Sequence, residues 1–234
     1  MSLPAPFVPF DLVPGLRLDL GRVRVHAFGA APSAWASGTV FGVVTRGRVA
    51  LTLPHPDGDD TFPLRPGAWF VAPGPGAVRG LSADAEGLLI EDSGPVGLRV
   101  IGGPVEPAGR LRYIDGCTDT LLVCPPRLGE PSLNHLHIPA GTNQSPHTHA
   151  SDRVGVILRG GGTCRTPAGV TALSPGLGWW IPAGSEHSFV TTDQALDVIA
   201  WHPDSVFGPT DEVHPMKSGT QLVARGPAAE PPRR

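Results

Sequence analysis

The chain is a succession of short apolar segments separated by residues that favour turns. Many of the segments alternate between apolar and polar positions, which is the two-residue period of a β-strand. Glycine, proline and aspartate stand between them, as in the turn predicted over 54–61. Strands are predicted over 22–26, 39–44, 49–53, 113–114, 120–123, 133–138, 154–158, 163–166 and 196–201. The pattern therefore predicts an all-β chain.

Part of this pattern occurs twice. Residues 64–73 and 173–182 both contain Leu-x-Pro-Gly, then an apolar strand, then a proline. Upstream of these segments, residues 34–47 align with residues 147–160 without a gap. A spacing of about 110 residues indicates two copies of one domain rather than a short-period solenoid. The predicted domains are 21–105 and 106–217.

The two ends of the chain have a different composition. Residues 1–20 include Pro4, Pro6, Pro9 and Pro14, which disfavour a helix, and we predict an N-terminal arm there. Residues 218–234 are predicted to be a C-terminal tail. Its last part, 226–234, is small, polar and proline-rich, which predicts disorder.

Composition and charge narrow the range of functions. The sequence has 31 glycines and 28 prolines in 234 residues, as expected for many short strands joined by tight turns. A net charge of −3 gives no electrostatic footprint for nucleic acid. No apolar run is long enough to span a bilayer, and no signal-peptide pattern is present, so no membrane partner is expected. The three cysteines form no disulfide framework, which favours a reduced, cytoplasmic protein.

Three histidines in the second copy have the spacing of metal ligands. His147 and His149 follow Gly141 and stand two residues apart, so in an extended strand their imidazoles share a face. His187 follows Gly176 and Pro182 and is the obvious source of a third imidazole. Imidazole ligates zinc, copper, iron and nickel, and three such ligands leave coordination positions open.

The first copy lacks these histidines. Ala34 and Ala36 occupy the places of His147 and His149, and Val78 occupies the place of His187. We therefore predict that domain 21–105 has no metal site and packs against the domain that has one.

The two histidine segments resemble the two motifs of the cupin superfamily. The first motif corresponds to Gly141-x5-His147-x-His149 with Gly160, and the second to Gly176-x5-Pro182-x-Gly184-x2-His187. The resemblance implies two tandem cupin barrels (jelly rolls, or double-stranded β-helices), which is a bicupin arrangement. It also implies a divalent transition metal (iron, zinc, nickel or manganese) in the mouth of the second barrel.

One departure from the cupin motif affects the predicted ligand set. The family carries a glutamate three or four residues after the second histidine, where this chain has Arg153 and Val154. Asp152 stands next to that place, and a β-bulge could turn it inward as a fourth ligand. Thr191 also stands where asparagine is usual.

Residues near the motif are candidates for substrate binding. Strand parity points Arg153 into the barrel, where it either pairs with a carboxylate such as Asp152 or binds an anionic group of the substrate. His135 and His137 share a face of the strand over 133–138 and are predicted to be pocket or interface residues. Only one of Trp179 and Trp180 can face the pocket, because neighbouring strand residues point to opposite faces. The predicted substrate-binding residues are Arg153, His135, His137 and Trp180, while His202 and His214 are predicted to be loop residues.

The function predicted from these residues is that of a dioxygenase-like enzyme. The three-histidine set is similar to the sites of gentisate-type and β-diketone-cleaving cupin dioxygenases, which also lack the glutamate ligand. This resemblance implies a small organic substrate, with acidic, aromatic and diketone compounds as candidates. The alternatives are a non-oxidative cupin enzyme, such as an isomerase or hydrolase, and a small-molecule binding or sensing protein. A small-molecule ligand is the expected partner, and a second copy of the chain forming a homodimer is the other partner considered.

Overall fold

The computed structural model describes residues 5–94, 96–217 and 219–221, and these are almost entirely β-structure. The described strands are β1 (Val8–Asp11), β2 (Arg17–Asp19), β3 (Val23–Phe28), β4 (Ser33–Trp35), β5 (Thr39–Arg46), β6 (Val49–Leu53), β7 (Asp60–Leu64), β8 (Trp69–Pro73), β9 (Gly76–Gly80), β10 (Glu86–Asp92), β11 (Val100–Gly102), β12 (Leu111–Arg112), β13 (Thr118–Val123), β14 (Ser132–Ile138), β15 (Arg153–Gly160), β16 (Gly162–Thr166), β17 (Gly169–Leu173), β18 (Leu177–Ile181), β19 (Ser188–Val190) and β20 (Leu196–His202). Two 3-10 helices, Ile114–Gly116 and Pro215–Lys217, complete the described elements. The all-β prediction is confirmed. The tail predicted over 218–234 lies outside the described residues except for 219–221.

The strands form four antiparallel sheets within the described ranges. The strand order is β1-β18-β15-β20-β14-β13-β12 in the seven-stranded sheet and β11-β8-β5-β10-β3-β2 in the six-stranded sheet. The smaller sheets have the orders β4-β9-β6-β7 and β17-β16-β19. All four are open sheets, and none closes on itself into a barrel.

Three apolar clusters show how these sheets are layered. One cluster lies between the four-stranded and six-stranded sheets, with Leu51 on one side and Phe70 on the other. A second lies between the seven-stranded and three-stranded sheets, with Ile157 facing Cys164. The third joins the two large sheets and includes Phe41, whose ring meets the edge of Trp201 at 6.0 Å. Each large sheet therefore buries both of its faces.

The two large sheets share a strand order, which matches the repeat in the sequence. The order β8-β5-β10-β3-β2 in the six-stranded sheet corresponds to β18-β15-β20-β14-β13 in the seven-stranded sheet. The repeated segments 34–47 and 147–160 contribute to corresponding strands β5 and β15. The domain boundaries drawn from the sequence remain predictions.

The predicted N-terminal arm belongs to the sheet structure. Strand β1 pairs with β18 along the edge of the seven-stranded sheet, and β2 pairs with β3 in the six-stranded sheet. The ring of Phe10 lies directly over Gly178, where an added Cβ would come within 2.1 Å of the ring. The glycine therefore allows the close approach of β1 to β18.

Two local predictions from the sequence are corrected by the structure. The strand predicted over 113–114 is not formed, because the chain enters the 3-10 helix Ile114–Gly116 with Asp115 in the left-handed region at φ 54°. The segment with His147 and His149 is not a regular strand, since only His147 forms a bridge and His149 follows in irregular structure. No helix among the described residues has the length and apolar character needed to cross a bilayer.

Candidate metal centre

The backbone brings two distant segments together at the predicted metal site. The N–H of His147 donates to the carbonyl oxygen of His187, and the N–H of His187 donates to that of His147, both at 3.0 Å. The carbonyl oxygen of His149 accepts a further bond of 2.8 Å from the N–H of Gly184. This single antiparallel bridge places side chains of two loops beside each other without a regular strand.

The three imidazoles converge on one point. One ring nitrogen from each of His147, His149 and His187 lies within 4.8 Å of the others, and the ring centroids are 4.5 to 5.1 Å apart. Nδ1 of His147 lies 2.9 Å from the carbonyl oxygen of Ser145, and Nδ1 of His187 lies 3.0 Å from that of Ser185. Because a carbonyl oxygen only accepts, both Nδ1 atoms carry a proton, and both Nε2 atoms keep a free lone pair.

The electrostatics of the site keep the rings of His149 and His187 neutral. Burial lowers the pKa of His149 to about 3, and the charge of Arg153 and the neighbouring histidines act in the same direction. Burial lowers the pKa of His187 to about 4, despite the hydrogen bond to Ser185. Neutral imidazoles with exposed lone pairs fit a divalent transition ion. No other group of three such ligands was found in the described part of the chain.

Asp152 is not part of this group. Its Oδ2 accepts a hydrogen bond of 3.0 Å from Nε1 of Trp180, and its Oδ1 accepts one of 2.8 Å from the N–H of Ala183. Strand β15 starts in regular register with β18 at Arg153, and no bulge turns the carboxylate towards the histidines. The structure therefore corrects the expectation of Asp152 as a fourth ligand and shows it anchoring the loop after β18.

The three histidines border a cavity of about 250 Å³ on the inner face of the seven-stranded sheet, here called the histidine cavity. Its apolar wall is formed by Leu136, Trp179, Ile181, Phe189, Val198 and Ala200. Its polar wall is formed by Arg112, Tyr113, Asp119, Asn134, Arg153 and His202. The combination of an apolar surface with a few polar groups is typical of a small-molecule site.

Arg153 lines the histidine cavity without a carboxylate partner. Its Nη1 donates to the carbonyl oxygens of Ser151 and Asp152, each at 2.9 Å, and to Oγ of Ser151 at 2.7 Å. Its Nε is buried, and neither Nε nor Nη2 has a hydrogen-bond partner among the described residues. Burial lowers the pKa of Arg153. The expected ion pair with Asp152 is therefore absent, and only the backbone of that residue is contacted.

Three other residues predicted to bind substrate lie on the opposite face of the sheet. Trp180 packs against the cluster between the two large sheets, whereas its neighbour Trp179 lines the histidine cavity. His135 and His137 also point away from the cavity, and their ring nitrogens lie 2.8 and 3.0 Å from Oδ1 of Asp197. These placements correct the expectation that Trp180, His135 and His137 contact substrate.

The structure adds polar residues that the sequence did not single out. His202, predicted to be a loop residue, is the last residue of β20 and lines the histidine cavity. Burial lowers its pKa to about 3, with contributions from Arg153 and His149. Asp119 accepts a hydrogen bond of 2.7 Å from Asn134, and burial raises its pKa. His202 shares a face of β20 with Val198 and Ala200, since every second residue of a strand shares a face, and the structure shows that this face meets the cavity.

Comparison with known proteins identifies the fold. No protein-family model and no curated protein matches the sequence. The cupin 2 conserved barrel domain protein of Leptotrichia buccalis matches with a TM-score of 0.58 and 13% identity, over 87% of this chain and 92% of that chain. Salicylate 1,2-dioxygenase of Pseudaminobacter salicylatoxidans matches with a TM-score of 0.57 and 13% identity, over 77% and 70% of the two chains. Oxalate decarboxylase of Lactobacillus farciminis, in a formate complex, matches with a TM-score of 0.55 and 10% identity, over 89% of this chain and 88% of that chain. At such identities the likeness shows the fold alone, which is that of cupin proteins.

Proposed function

We propose that this protein is a metal-dependent enzyme of the dioxygenase type that acts on a small organic acid. One observation carries the proposal. Three imidazoles converge at the border of a cavity that also contains the unpaired guanidinium of Arg153. Neutral ligands and an unpaired cation together favour an anionic substrate in this cavity.

The three histidines would hold the metal through one ring nitrogen each. Ser145 and Ser185 fix the rings of His147 and His187 through their carbonyl oxygens, so that both Nε2 lone pairs are available. A divalent transition ion held there would supply Lewis acidity and, in the case of iron(II), redox chemistry with dioxygen.

Arg153 would bind and orient the substrate. Hydrogen bonds through Nη1 hold one side of the guanidinium, while Nη2 has no partner among the described residues and is available to donate to an acidic group of the substrate. Trp179 and Phe189 would pack against the organic part of the substrate and exclude water from it. The substrate would thus be held at two places, its acidic group by Arg153 and its apolar body by Trp179 and Phe189.

The fold comparisons agree with this substrate class without establishing it. Two of the matching structures are enzymes named for carboxylic acids, salicylate in one case and oxalate in the other. Both share the fold with this chain at 13% identity or less. We extend only the class of substrate, a small carboxylic acid, to the histidine cavity.

A non-oxidative reaction of the same substrate class is the second candidate. Asp119 lines the histidine cavity, and burial raises the pKa of its carboxyl group. A carboxyl group with a raised pKa in a cavity is suited to proton transfer. An isomerase, hydrolase or decarboxylase would use such a group, and its reaction would not consume oxygen.

The first experiment measures metal content. Protein purified without added metal is analysed by inductively coupled plasma mass spectrometry, for the wild type and for His147→Ala, His149→Ala and His187→Ala. Each of these variants is expected to lose the metal, because two imidazoles leave too few donors. His55→Ala, which removes an exposed histidine far from the site in sequence, serves as the matched control. Full metal retention by His187→Ala would contradict the ligand assignment.

The second experiment identifies the reaction. Oxygen uptake is recorded with iron(II)-loaded protein and a panel of salicylate, gentisate, catechols and β-diketones. Oxygen uptake that depends on one of these compounds and on His187 supports a dioxygenase. Turnover without oxygen uptake would instead support the non-oxidative candidate.

A further inference from the structure

A second and larger cavity lies on the corresponding face of the other large sheet. It has a volume of about 420 Å³ and is bordered by strands β2, β3 and β10 and by the segment around β4. We call it the N-terminal cavity. Its volume lies in the range of small-molecule sites, which is roughly 300–1,000 Å³.

Strand register relates this cavity to the histidine cavity. Leu88 pairs with Val43 of β5, and Ile199 pairs with Val156 of β15, which are aligned positions of the sequence repeat. Three residues further along each strand, Glu91 therefore corresponds to His202. Both residues line their respective cavities.

The metal ligands have no counterpart in the N-terminal cavity. Ala34 and Ala36, which replace His147 and His149 in the repeat, both line it and leave the space of two imidazoles open. The described part of the chain contains no group of three metal ligands there. Any ligand of this cavity would therefore be held by the protein alone.

Charged side chains stand in rows across the wall of the N-terminal cavity. Arg17 of β2 is the register partner of His26 of β3, and Arg24 of β3 is the partner of Glu91 of β10. Residues opposite each other in an antiparallel pair share a face, so all four side chains face the cavity that they line.

The charges in these rows leave one cation unpaired. Arg24 forms an ion pair with Glu91, and Nε2 of His26 lies 3.4 Å from the same carboxylate. Arg17 makes no hydrogen bond or ion pair with any described residue. Burial is the main cause of a lowered pKa of His26, and the charge of Arg17 acts in the same direction, so this ring adds no charge. Among the residues that line this wall, Arg17, whose side chain is exposed, is therefore the cation without a carboxylate partner.

The remaining wall offers apolar contact and a polar atom without a partner. Trp35 is buried beside the cavity, and Val40 and Leu89 lie on its floor. Nε1 of Trp35 is buried and has no hydrogen-bond partner among the described residues.

We propose that the N-terminal cavity is a metal-free binding site for a small organic carboxylate, with Arg17 as its anchor and Trp35 beside its apolar part. The guanidinium of Arg17 can hold a carboxylate through two parallel hydrogen bonds. This site is separate from the proposed metal centre and does not depend on its activity.

The test is calorimetric titration of the purified protein with succinate and with benzoate. The wild type and Arg153→Gln protein are titrated first. The variants at the N-terminal cavity are then made in Arg153→Gln protein, in which the histidine cavity has lost its proposed anchor, so that remaining binding reports on the N-terminal cavity. Arg17→Gln is expected to weaken binding roughly tenfold or more, as expected for loss of a charged hydrogen-bonding partner. Ala36→Trp, which fills the cavity opening, is expected to have a similar effect. Arg48→Gln removes an exposed arginine outside the cavity and is expected to leave binding unchanged.

Three results would overturn the proposal. One is that neither anion binds to protein with Arg17 intact. Another is that Arg17→Gln and Ala36→Trp bind as tightly as Arg48→Gln. Binding to the wild type that disappears with Arg153→Gln alone would assign the anion to the histidine cavity and would equally overturn it.

Discussion

Replacing Asp197 with alanine is expected to lower the free energy of unfolding by about 3–5 kcal/mol, because it removes the centre of a buried polar cluster. Oδ1 of Asp197 accepts hydrogen bonds from His135 at 2.8 Å and His137 at 3.0 Å, and Oδ2 accepts one from Arg159 at 3.0 Å. Asp197 is 7% exposed, and His135 is fully buried. Without the carboxylate, the buried ring of His135 would lose its hydrogen-bond partner, which alone costs about 1–3 kcal/mol.

The asparagine variant separates the hydrogen bonds from the charge. Asp197→Asn keeps an oxygen that can accept from both histidines, since both use the same oxygen. It loses the negative charge opposite Arg159 and can place an amide donor against the guanidinium. We expect a smaller loss of about 1–3 kcal/mol for this variant.

The assay is urea unfolding monitored by tryptophan fluorescence, with metal content measured on the same samples. Asp193→Ala is the control, because it removes an exposed carboxylate four residues earlier in the chain, whose partner is its neighbour Thr192. This control is expected to change stability by less than about 0.5 kcal/mol. The metal content of Asp197→Ala is expected to match the wild type, because the cluster lies on the face of the sheet opposite the histidine cavity.

The same cluster predicts how stability depends on pH. Burial alone would raise the pKa of Asp197, but the hydrogen bonds from His135 and His137 and the charge of Arg159 lower it below its ordinary value of 3.8. A folded-state pKa below the unfolded value stabilises the protein above the unfolded pKa, and this contribution is lost as the pH falls through the folded pKa. The difference in stability between wild type and Asp197→Ala should therefore be constant above about pH 5 and shrink below it.

A loss of less than about 1 kcal/mol for Asp197→Ala would refute the structural role of the cluster. Unchanged stability combined with lost metal or lost ligand affinity would show that His135 and His137 act on the site, as the sequence first indicated.

Two further predictions concern the histidine cavity and the strand beneath it. Arg153→Lys is expected to lower the affinity for carboxylate ligands roughly tenfold, because lysine keeps the positive charge but lacks the planar guanidinium. Metal content and melting temperature are expected to stay at the wild-type values. A lower stability with unchanged affinity would show that Arg153 has a structural role. Gly155→Ala is expected to destabilise the protein by roughly 3 kcal/mol or more in urea unfolding, because the new Cβ would lie 2.2 Å from the carbonyl oxygen of Ile199 and 2.4 Å from Cζ2 of Trp179. An unfolding midpoint equal to that of the wild type would contradict the packing described for this strand.

The strand pattern and the repeat could be predicted from sequence because they depend on local chemistry. Alternating and apolar runs located strands such as β6 and β14 to within a residue or two. The Asp115-Gly116 pair is a turn signal directly after the strand predicted over 113–114, and the structure has Asp115 in the left-handed region. Such a conformation depends on one backbone position and is easily overlooked in a short apolar stretch.

The face that each strand turns towards the cavity could not be predicted, for a physical reason. In a sheet with one wet face, the apolar positions identify the core side. Both large sheets here are buried on both faces, so Trp179 and Trp180 look equally suited to the core. Parity divides residues into two sets without saying which set meets the cavity. The same ambiguity placed His135 and His137 in the cavity in place of Asn134 and Leu136.

The charged residues distinguish the two faces once the structure is known. Between the large sheets, buried carboxylates have cationic partners: Asp197 contacts Arg159, and Asp92, with no exposed surface, contacts Arg22 through two hydrogen bonds of 2.8 and 2.9 Å. In the histidine cavity, Arg153 has no such partner among the residues that the structure describes. A half-buried charge without a partner costs free energy unless a ligand or water forms hydrogen bonds with it. Buried charges are thus paired between the large sheets, whereas Arg153 in the histidine cavity is not. This difference is a reason, independent of any fold comparison, to look for an anionic substrate beside Arg153.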